Sequence, residues 1–253
     1  MQTLAVVIIT LNEARNIERC ILSLGDLADE IVVLDAFSTD ETAEICRKHG
    51  VSFHQRNWEG YAASKNYANS LTTCDYIFSL DADEALSTEL LAEIKSEKKK
   101  GFSGVYSVNR LTNYMGKWIY HSGWFPDIKT RIFPKKGSFW SGEYVHEELM
   151  TPSNATTTSF KNILAHYSYY SFEDHRARAD KYSHLTAQKF YAAGKKASIL
   201  KPYLSAVGRF IAMYLLKRGF LDGKMGFKIA QISALSNIVK YKALRQLHRD
   251  GKS

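Results

Sequence analysis

Four short strand-like segments alternate with segments of helical periodicity in the first hundred residues, and this alternation restricts the fold more than any other feature. The strand-like segments cover residues 4–10, 30–34, 51–55 and 76–80, and the helical segments cover residues 13–24, 38–50, 60–71 and 87–98. The first segment is a continuous apolar run, which is typical of a strand buried on both faces of a parallel sheet. The order therefore predicts an α/β fold, with a mainly parallel sheet, helices on both faces and right-handed crossovers.

Polar residues cluster directly after three of the predicted strands, at residues 10–13, 35–40 and 81–84. Ligands of open α/β sheets bind outside the carboxyl ends of the strands, so we expect these clusters to form one site. For part of the second cluster, a purely structural role in capping a helix is the alternative to ligand binding. Ser38 and Glu41 have the spacing of a capping box that opens the helix at 38–50, and Asp40 would then only cap that helix.

The third cluster is the most acidic, since Asp81, Asp83 and Glu84 follow a buried run within four residues. A buried strand does not end on this much negative charge unless a cation lies opposite. A hard divalent ion that keeps several waters and bridges to a substrate diphosphate fits this requirement. The alternative is a polar surface turn, and the position beside two other polar strand ends favours the metal.

The C-terminal third of the chain differs from the rest in periodicity and in charge. Residues 171–253 contain 17 Lys and Arg against 5 Asp and Glu, whereas residues 1–170 contain 17 against 21. Helical periodicity covers residues 173–193, 201–217 and 224–247. We therefore expect a domain at 1–170 followed by a basic helical region at 171–253, which favours an anionic partner such as a membrane surface. The alternative is a helical cap whose lysines are merely solvated.

Cysteine usage and hydropathy favour a reducing compartment. The three cysteines, Cys20, Cys46 and Cys74, lack metal-site spacing, so we expect free thiols. No basic segment precedes the first apolar run, as it would in a secretory signal. The sequence contains no run of ~20 apolar residues, so it predicts no transmembrane helix.

Several motifs together resemble the family 2 glycosyltransferases of the GT-A fold. They are Val-Ile-Ile-Thr-Leu-Asn-Glu at 7–13, Asp-Ala-Phe-Ser-Thr-Asp-Glu-Thr at 35–42 and Asp-Ala-Asp-Glu at 81–84. The segments Trp-Ser-Gly-Glu-Tyr-Val-His-Glu at 140–147 and Gly-Phe-Leu-Asp-Gly at 219–223 narrow this resemblance. They resemble the branch that adds glucose-like sugars to the heptose-containing inner core of lipopolysaccharide.

The resemblance implies a binding site for a UDP-sugar donor and a divalent ion. Asp83 would be the direct ligand of Mg²⁺ or Mn²⁺, Asp81 would approach the ribose or the metal's waters, and His166 would be a further ligand. The residues implied for the nucleotide-sugar are Thr10, Asn12, Glu13, Asp35, Asp40, Lys65, Asn66 and Asp81. For Lys65, a solvated helix lysine remains the alternative.

The resemblance also implies a catalytic base and an acceptor site. A carboxylate within ~3 Å of the acceptor hydroxyl can take its proton, and Glu147 is the expected residue, with Glu143, Glu148 and Asp127 left open as alternatives. His146 would contact the diphosphate or position the base, or else be structural. Trp140 and Arg131 would contact the acceptor, although Trp140 is equally suited to a core.

The resulting hypothesis is an inverting, metal-dependent transferase that moves a hexose from a UDP-sugar, with glucose expected, to a lipid-linked saccharide. It would be cytoplasmic and peripherally bound to the inner membrane through its basic helices, with no nucleic-acid partner. The resemblance leaves homo-oligomerisation open. A nucleotidyltransferase is disfavoured because the first strand leads to Thr-Leu-Asn-Glu rather than a Gly-rich phosphate loop. A non-catalytic membrane or nucleic-acid scaffold leaves the acids at the strand ends unexplained.

Overall fold

The computed structural model describes residues 2–142 and 147–251 of the chain. The chain forms two compact units. The first unit comprises Met1–Arg110 and Asp127–Tyr167, and the second unit comprises Leu111–Pro126 and Ser168–Ser253. The predicted boundary after residue 170 lies close to the last of these transitions. The second unit also includes a segment from the middle of the chain.

Eleven strands and seven α-helices occur in the described ranges. The strands are β1 (Leu4–Thr10), β2 (Glu30–Asp35), β3 (Ser52–Gln55), β4 (Tyr76–Asp81), β5 (Glu84–Leu86), β6 (Val105–Tyr114), β7 (Lys117–Trp118), β8 (Ile128–Pro134), β9 (Phe139–Ser141), β10 (Glu148–Met150) and β11 (Thr157–Tyr169). The helices are α1 (Ile17–Ser23), α2 (Thr42–Lys48), α3 (Tyr61–Ser70), α4 (Thr88–Lys100), α5 (Phe172–Ala192), α6 (Lys201–Ile211) and α7 (Gly223–Asp250).

Nine of these strands form one mixed sheet in the order β3-β2-β1-β4-β8-β6-β11-β5, with β7 paired to β6. Strand β1 is parallel to β2 and β4, and β2 is parallel to β3. Strand β8 is antiparallel to β4 and β6, and β5 is antiparallel to β11. The predicted α/β class is confirmed, and the aromatic segment after residue 101 extends its parallel core with antiparallel strands.

Strand β1 shows why this sheet needs helices on both faces. Leu4, Val6 and Ile8 belong to one buried apolar cluster, whereas Ala5 and Val7 belong to a second one. Successive side chains of a strand point to opposite faces, so both faces of β1 are covered. This burial of both faces explains the continuous apolar run at residues 4–10.

The strand register brings the predicted polar clusters to one edge of the sheet. Thr10 at the end of β1 pairs with Asp35 at the end of β2, and Ile9 pairs with Asp81 at the end of β4. The expectation that the three clusters lie close together is therefore confirmed.

The capping-box interpretation of residues 38–41 is wrong. Helix α2 begins at Thr42, and no side-chain hydrogen bond caps it at Glu41. The Ser38 hydroxyl instead donates to the carboxylate of Asp35. The acid at the strand end outcompetes the helix terminus for this hydroxyl, because a hydrogen bond to a charged group is the stronger one.

The second unit has its own apolar cluster and a buried polar contact. Tyr114 and Ile119 from the middle segment pack with Met213 and Ile229 from the C-terminal helices. The Tyr114 hydroxyl lies 2.7 Å from Nδ1 of His175. Burial lowers the pKa of His175 to about 4, so this ring is neutral at neutral pH. Among the helices that the structure describes, none is long and apolar enough to cross a membrane.

Candidate active site

The loops that follow β1 and β2 bind each other through side chain to backbone hydrogen bonds. Asn12 has a positive φ of 55°, and its backbone N–H donates to Ser38 Oγ at 2.7 Å. Its side-chain oxygen accepts from the backbone N–H of Thr39 at 2.8 Å. Glu13 N–H donates to Thr42 Oγ1 at 2.9 Å. Asn12 and Glu13 thus hold the rim of the predicted nucleotide site in a fixed shape.

Two of the predicted acids are bonded within these loops. Asp35 is fully buried, and its carboxylate accepts from Ser38 N–H and from Gln55 Nε2, both at 2.9 Å. Asp40 accepts from the backbone N–H groups of Ala14 at 3.1 Å and Thr42 at 3.0 Å. Burial alone would raise the pKa of Asp40, but these bonds outweigh burial and lower it.

Thr10 adds an unsatisfied polar atom to the same edge. Its Oγ1 is buried and has no hydrogen-bond partner among the described residues. A buried hydroxyl without a partner is costly, so this atom is available to a ligand group.

A buried ion network lies beneath the third cluster. Arg131 is 3% exposed, and its guanidinium binds Asp81 Oδ2 at 2.7 Å and contacts the carboxylate of Glu84. Arg110 lies 3.2 Å from Glu84 and 3.7 Å from Asp81. The cation that the acidic strand end requires is thus supplied by two arginines of β6 and β8.

This network keeps Asp81 ionised. Burial would raise the pKa of the Asp81 carboxyl, but Arg131, Lys65 and Arg110 hold it well below its usual range. The pKa of Arg131 is raised in turn, because Asp81 and Glu84 outweigh the effect of its burial. Arg131 was predicted to contact the acceptor. In the structure it is buried and pairs with these two acids.

Lys65 connects this network to the expected base. Its ammonium lies 3.1 Å from Glu147 Oε1 and 3.7 Å from Asp81 Oδ1, although the residue is only 4% exposed. The same ammonium lies 4.4 Å from the centre of the Trp140 ring. Cations are attracted to the face of an indole, so the tryptophan helps to retain the buried lysine.

Asn66 fixes the strand that precedes Glu147. Its amide oxygen accepts from Trp140 N–H and its amide nitrogen donates to Trp140 C=O, both at 2.8 Å. The indole itself is buried and packs edge-on against Phe133. Asn66 and Trp140 are therefore brought together, and the indole packs in the core.

Asp83 and His166 form a pair at the end of β4. His166 Nε2 lies 3.3 Å from Asp83 Oδ2, and both side chains are partly accessible, at 13% and 15%. The described residues contain no group of three His, Cys, Asp or Glu side chains that could hold an ion by themselves. This suits the expected ion, because Mg²⁺ is usually held by one or two carboxylates, waters and substrate phosphates. Asp83 fits such a site, with His166 beside it.

The other base candidates differ in their surroundings. Asp127 binds Arg110 at 2.7 Å and Lys129 at 3.0 Å, and these cations outweigh burial to lower its pKa. Glu148 is exposed on β10. The predicted residues Glu143 and His146 lie outside the described residues.

Arg110 is the residue of this network that sequence reasoning missed. It lies in an aromatic strand with no motif around it, and its charge is the only signal. A buried acid requires a cation, and Arg110 lies two strands from Asp81 and from Glu84, so the strand order is the information that would have identified it.

Comparison with known proteins defines the class of protein to which this chain belongs. Residues 5–194 match Glycosyl transferase family 2, so the chain belongs to that family and is a glycosyltransferase of GT-A fold. An uncharacterized glycosyltransferase of Rickettsia bellii (strain RML369-C) is 30% identical over 95% of this chain and 85% of its own. The lipopolysaccharide core biosynthesis glycosyltransferase LpsC of Rhizobium meliloti (strain 1021) is 27% identical over 97% of this chain and 93% of its own. The solved structure of S. aureus TarS 1-349 in complex with UDP covers 98% of this chain and 92% of that chain, at 15% identity and a TM-score of 0.47.

The ion network generates a stability prediction. We expect Arg131→Met to lower the free energy of unfolding by about 3 kcal/mol, because the buried carboxylate of Glu84 and the partly buried carboxylate of Asp81 lose their main partner. The lowered pKa of Asp81 stabilises the wild type above the unfolded value of ~3.9, and this stabilisation is lost as the pH falls through the folded value. The stability of the wild type should therefore fall more steeply below about pH 4 than that of the variant.

Urea unfolding at several pH values measures both effects. Lys129→Met is the matched control, because Lys129 lies on the same strand in a half-exposed ion pair and should cost less than about 1 kcal/mol. Equal stability of Arg131→Met and wild type would show that the network does not stabilise the site.

Proposed function

We propose that this glycosyltransferase moves a hexose from a UDP-sugar, with glucose expected, to a lipid-linked saccharide of the lipopolysaccharide core. The observation that supports it best is the Asp83–His166 pair on the sheet edge that also bears the Lys65–Glu147 pair. The similarity to LpsC over nearly the full length of both chains supports the acceptor class.

The donor would bind where β1, β2 and β4 end. Thr10, Asn12, Glu13, Asp35 and Asp40 would form the nucleotide pocket, with Asp81 next to the ribose. The buried, unpartnered hydroxyl of Thr10 supports this placement. Asn12 and Asp40 contribute by fixing the loops, since their side-chain oxygens accept backbone hydrogen bonds.

Asp83, with His166 beside it, would hold Mg²⁺ or Mn²⁺ through its carboxylate. Such an ion offsets the charge that develops on a leaving diphosphate without proton transfer. In this proposal Asp81 contributes less than Asp83 to binding the ion, because its carboxylate pairs with Arg131, Lys65 and Arg110.

Glu147 would accept the proton of the acceptor hydroxyl. That oxygen attacks the anomeric carbon as the bond from this carbon to the diphosphate oxygen breaks, so the diphosphate leaves with the bonding electrons and the configuration inverts. Lys65 binds Oε1 of Glu147 and so orients the carboxylate. Asp127 is a weaker candidate, because a lowered pKa makes it a poorer base.

Asp83→Asn tests the donor and metal assignment. We expect loss of Mn²⁺ binding in electron paramagnetic resonance titrations with UDP, and loss of UDP release from a panel of UDP-, GDP- and CMP-sugars. The asparagine removes the charge that a hard cation requires. Glu89→Gln, an exposed acid in α4, is the control and should behave as wild type. Normal turnover of Asp83→Asn, or release from GDP- or CMP-sugars only, would contradict the assignment.

Glu147→Gln tests the base, with its exposed neighbour Glu148→Gln as the matched control. We expect kcat to fall by about 10² or more in the first variant, because general base catalysis typically contributes 10²–10⁴-fold. UDP affinity should remain unchanged in both, as measured by calorimetry. A large loss of kcat in Glu148→Gln alone would transfer the role to that residue.

We also propose that the second unit associates with an anionic membrane, on the cytoplasmic side of the inner membrane. Helix α6 and the residues that flank it expose an apolar stripe at helical spacing, formed by Leu200, Tyr203, Leu204, Val207, Ile211, Leu215 and Leu216. Exposed cations adjoin this stripe at Lys201, Arg209, Lys217 and Arg218. An apolar face bordered by Lys and Arg suits the interface of an anionic bilayer.

Three unpaired cysteines are consistent with a reducing compartment.

Leu204→Glu tests the membrane surface. Leu204 is 67% exposed in the middle of the stripe, so we expect binding to vesicles with anionic lipid to fall about ten-fold or more in co-sedimentation. Leu235→Glu on α7 is the control, since Leu235 is also exposed but lies outside the stripe. Equal binding by the two variants would contradict the assignment of the stripe.

A further inference from the structure

The second unit contains a pocket that the donor chemistry does not use. It has a volume of about 420 Å³ and lies between the loop at 120–126 and the turn at 216–218. Tyr120, His121 and Phe125 line one side, and Leu216, Lys217 and Arg218 line the other. This volume is within the range of small-molecule sites, which is roughly 300–1,000 Å³.

A buried carboxylate fixes the loop side of this pocket. Asp222 is 3% exposed and accepts from the backbone N–H groups of Tyr120 at 3.3 Å and His121 at 2.9 Å. The same carboxylate lies 2.9 Å from Nδ1 of the His121 ring. Ser122 N–H donates to the Lys217 carbonyl at 3.0 Å, which joins the two sides. The pocket is therefore held by hydrogen bonds within one unit.

Glycine keeps the space between the two sides open. A Cβ at Gly123 would lie 2.5 Å from the Lys217 side chain, and Gly123 has a φ of +75°. A Cβ at Gly219 would lie 2.5 Å from Ser122 Oγ. Larger residues at these positions would collide with the walls of the pocket or strain its backbone.

Two exposed cations, Lys217 and Arg218, line the pocket. Among the described residues, neither side chain forms an ion pair, and the nearby Asp222 carboxylate is bonded to His121 and to the loop backbone. Arg218 has a φ of 53°, the left-handed conformation, and lies between a π-helical segment at Ala212–Leu216 and a 3₁₀ turn at Gly219–Asp222. Next to these cations, the rings of Tyr120 and Phe125 lie 5.7 Å apart, edge to face.

We propose that this pocket binds a phosphorylated sugar in the headgroup of the membrane-linked acceptor. Arg and Lys bind phosphate oxygens through charge-assisted hydrogen bonds, and aromatic faces suit the apolar faces of a sugar ring. Leu216, a lining residue of the pocket, is 77% exposed and belongs to the apolar stripe of α6. The lipid part of such an acceptor would remain in the bilayer beside that stripe. The inference rests on the proposed acceptor class.

The test measures binding directly, with full-length protein and a soluble probe. The probe is a deacylated diphosphorylated glucosamine disaccharide, and its dephosphorylated form is the ligand control. Lys217→Gln with Arg218→Asn removes both cations, and asparagine tolerates the left-handed conformation. Lys181→Gln with Lys189→Gln removes the same charge from exposed positions on α5. Tyr120→Leu removes the aromatic ring alone.

We expect the pocket variant to lose affinity for the phosphorylated disaccharide by about ten-fold or more, and the α5 variant by less than about two-fold. Tyr120→Leu should also weaken disaccharide binding but leave the affinity for inorganic phosphate unchanged. The dephosphorylated disaccharide should bind more weakly to the wild type. Vesicles with phosphatidylglycerol or with lipid A, at matched surface charge, distinguish the two sources of phosphate. Loss of two membrane-facing cations should weaken binding to both kinds of vesicle, and the loss should be larger for lipid A.

Equal losses in the pocket and α5 variants would overturn the proposal, because net charge would then explain the binding. Failure of the wild type to bind the phosphorylated disaccharide would overturn it as well. Failure of the donor assignment appears in the Asp83→Asn measurements, whereas failure of the pocket appears only in disaccharide binding.

Discussion

The site of the first unit depends on the balance of charge between Asp81, Glu84 and the buried guanidinium of Arg131. Acids at the end of a buried strand require a counter-charge, and here the protein supplies it from the antiparallel strands β6 and β8. Arg131 and Arg110 satisfy Asp81 and Glu84, whereas the neighbouring Asp83 lies beside His166. One network thus gives different partners to two acids that lie two residues apart.

Lys65 extends this balance to Glu147. A lysine that is almost fully buried needs partners, and Asp81, Glu147 and the face of Trp140 supply them. Asn66, the next residue of α3, binds the backbone of Trp140 through two hydrogen bonds. The distance between helix α3 and strand β9 is therefore fixed.

The sequence was sufficient for the parallel core and for the meeting of the polar strand ends, because both follow from hydrophobic periodicity and from the direction of parallel strands. The capping box was wrong because Ser38 has two competing partners, the helix terminus and the carboxylate of Asp35, and the hydroxyl donates to the carboxylate. Arg110 was missed and Arg131 was assigned to the acceptor for a similar reason. The partners of these arginines are distant in sequence, and antiparallel pairing between β4, β8 and β6 brings them together.

The hydrogen bonds of Asp222 have a consequence for how the loop at 120–126 can change over evolutionary time. Two of its hydrogen bonds reach backbone amides of the loop at 120–126 rather than side chains. Backbone amides persist whichever residue occupies a position, except proline. Substitutions at Tyr120 or Phe125 can therefore alter what the loop recognises while its conformation is inherited unchanged. A single buried carboxylate therefore fixes the loop independently of the side chains that the loop carries.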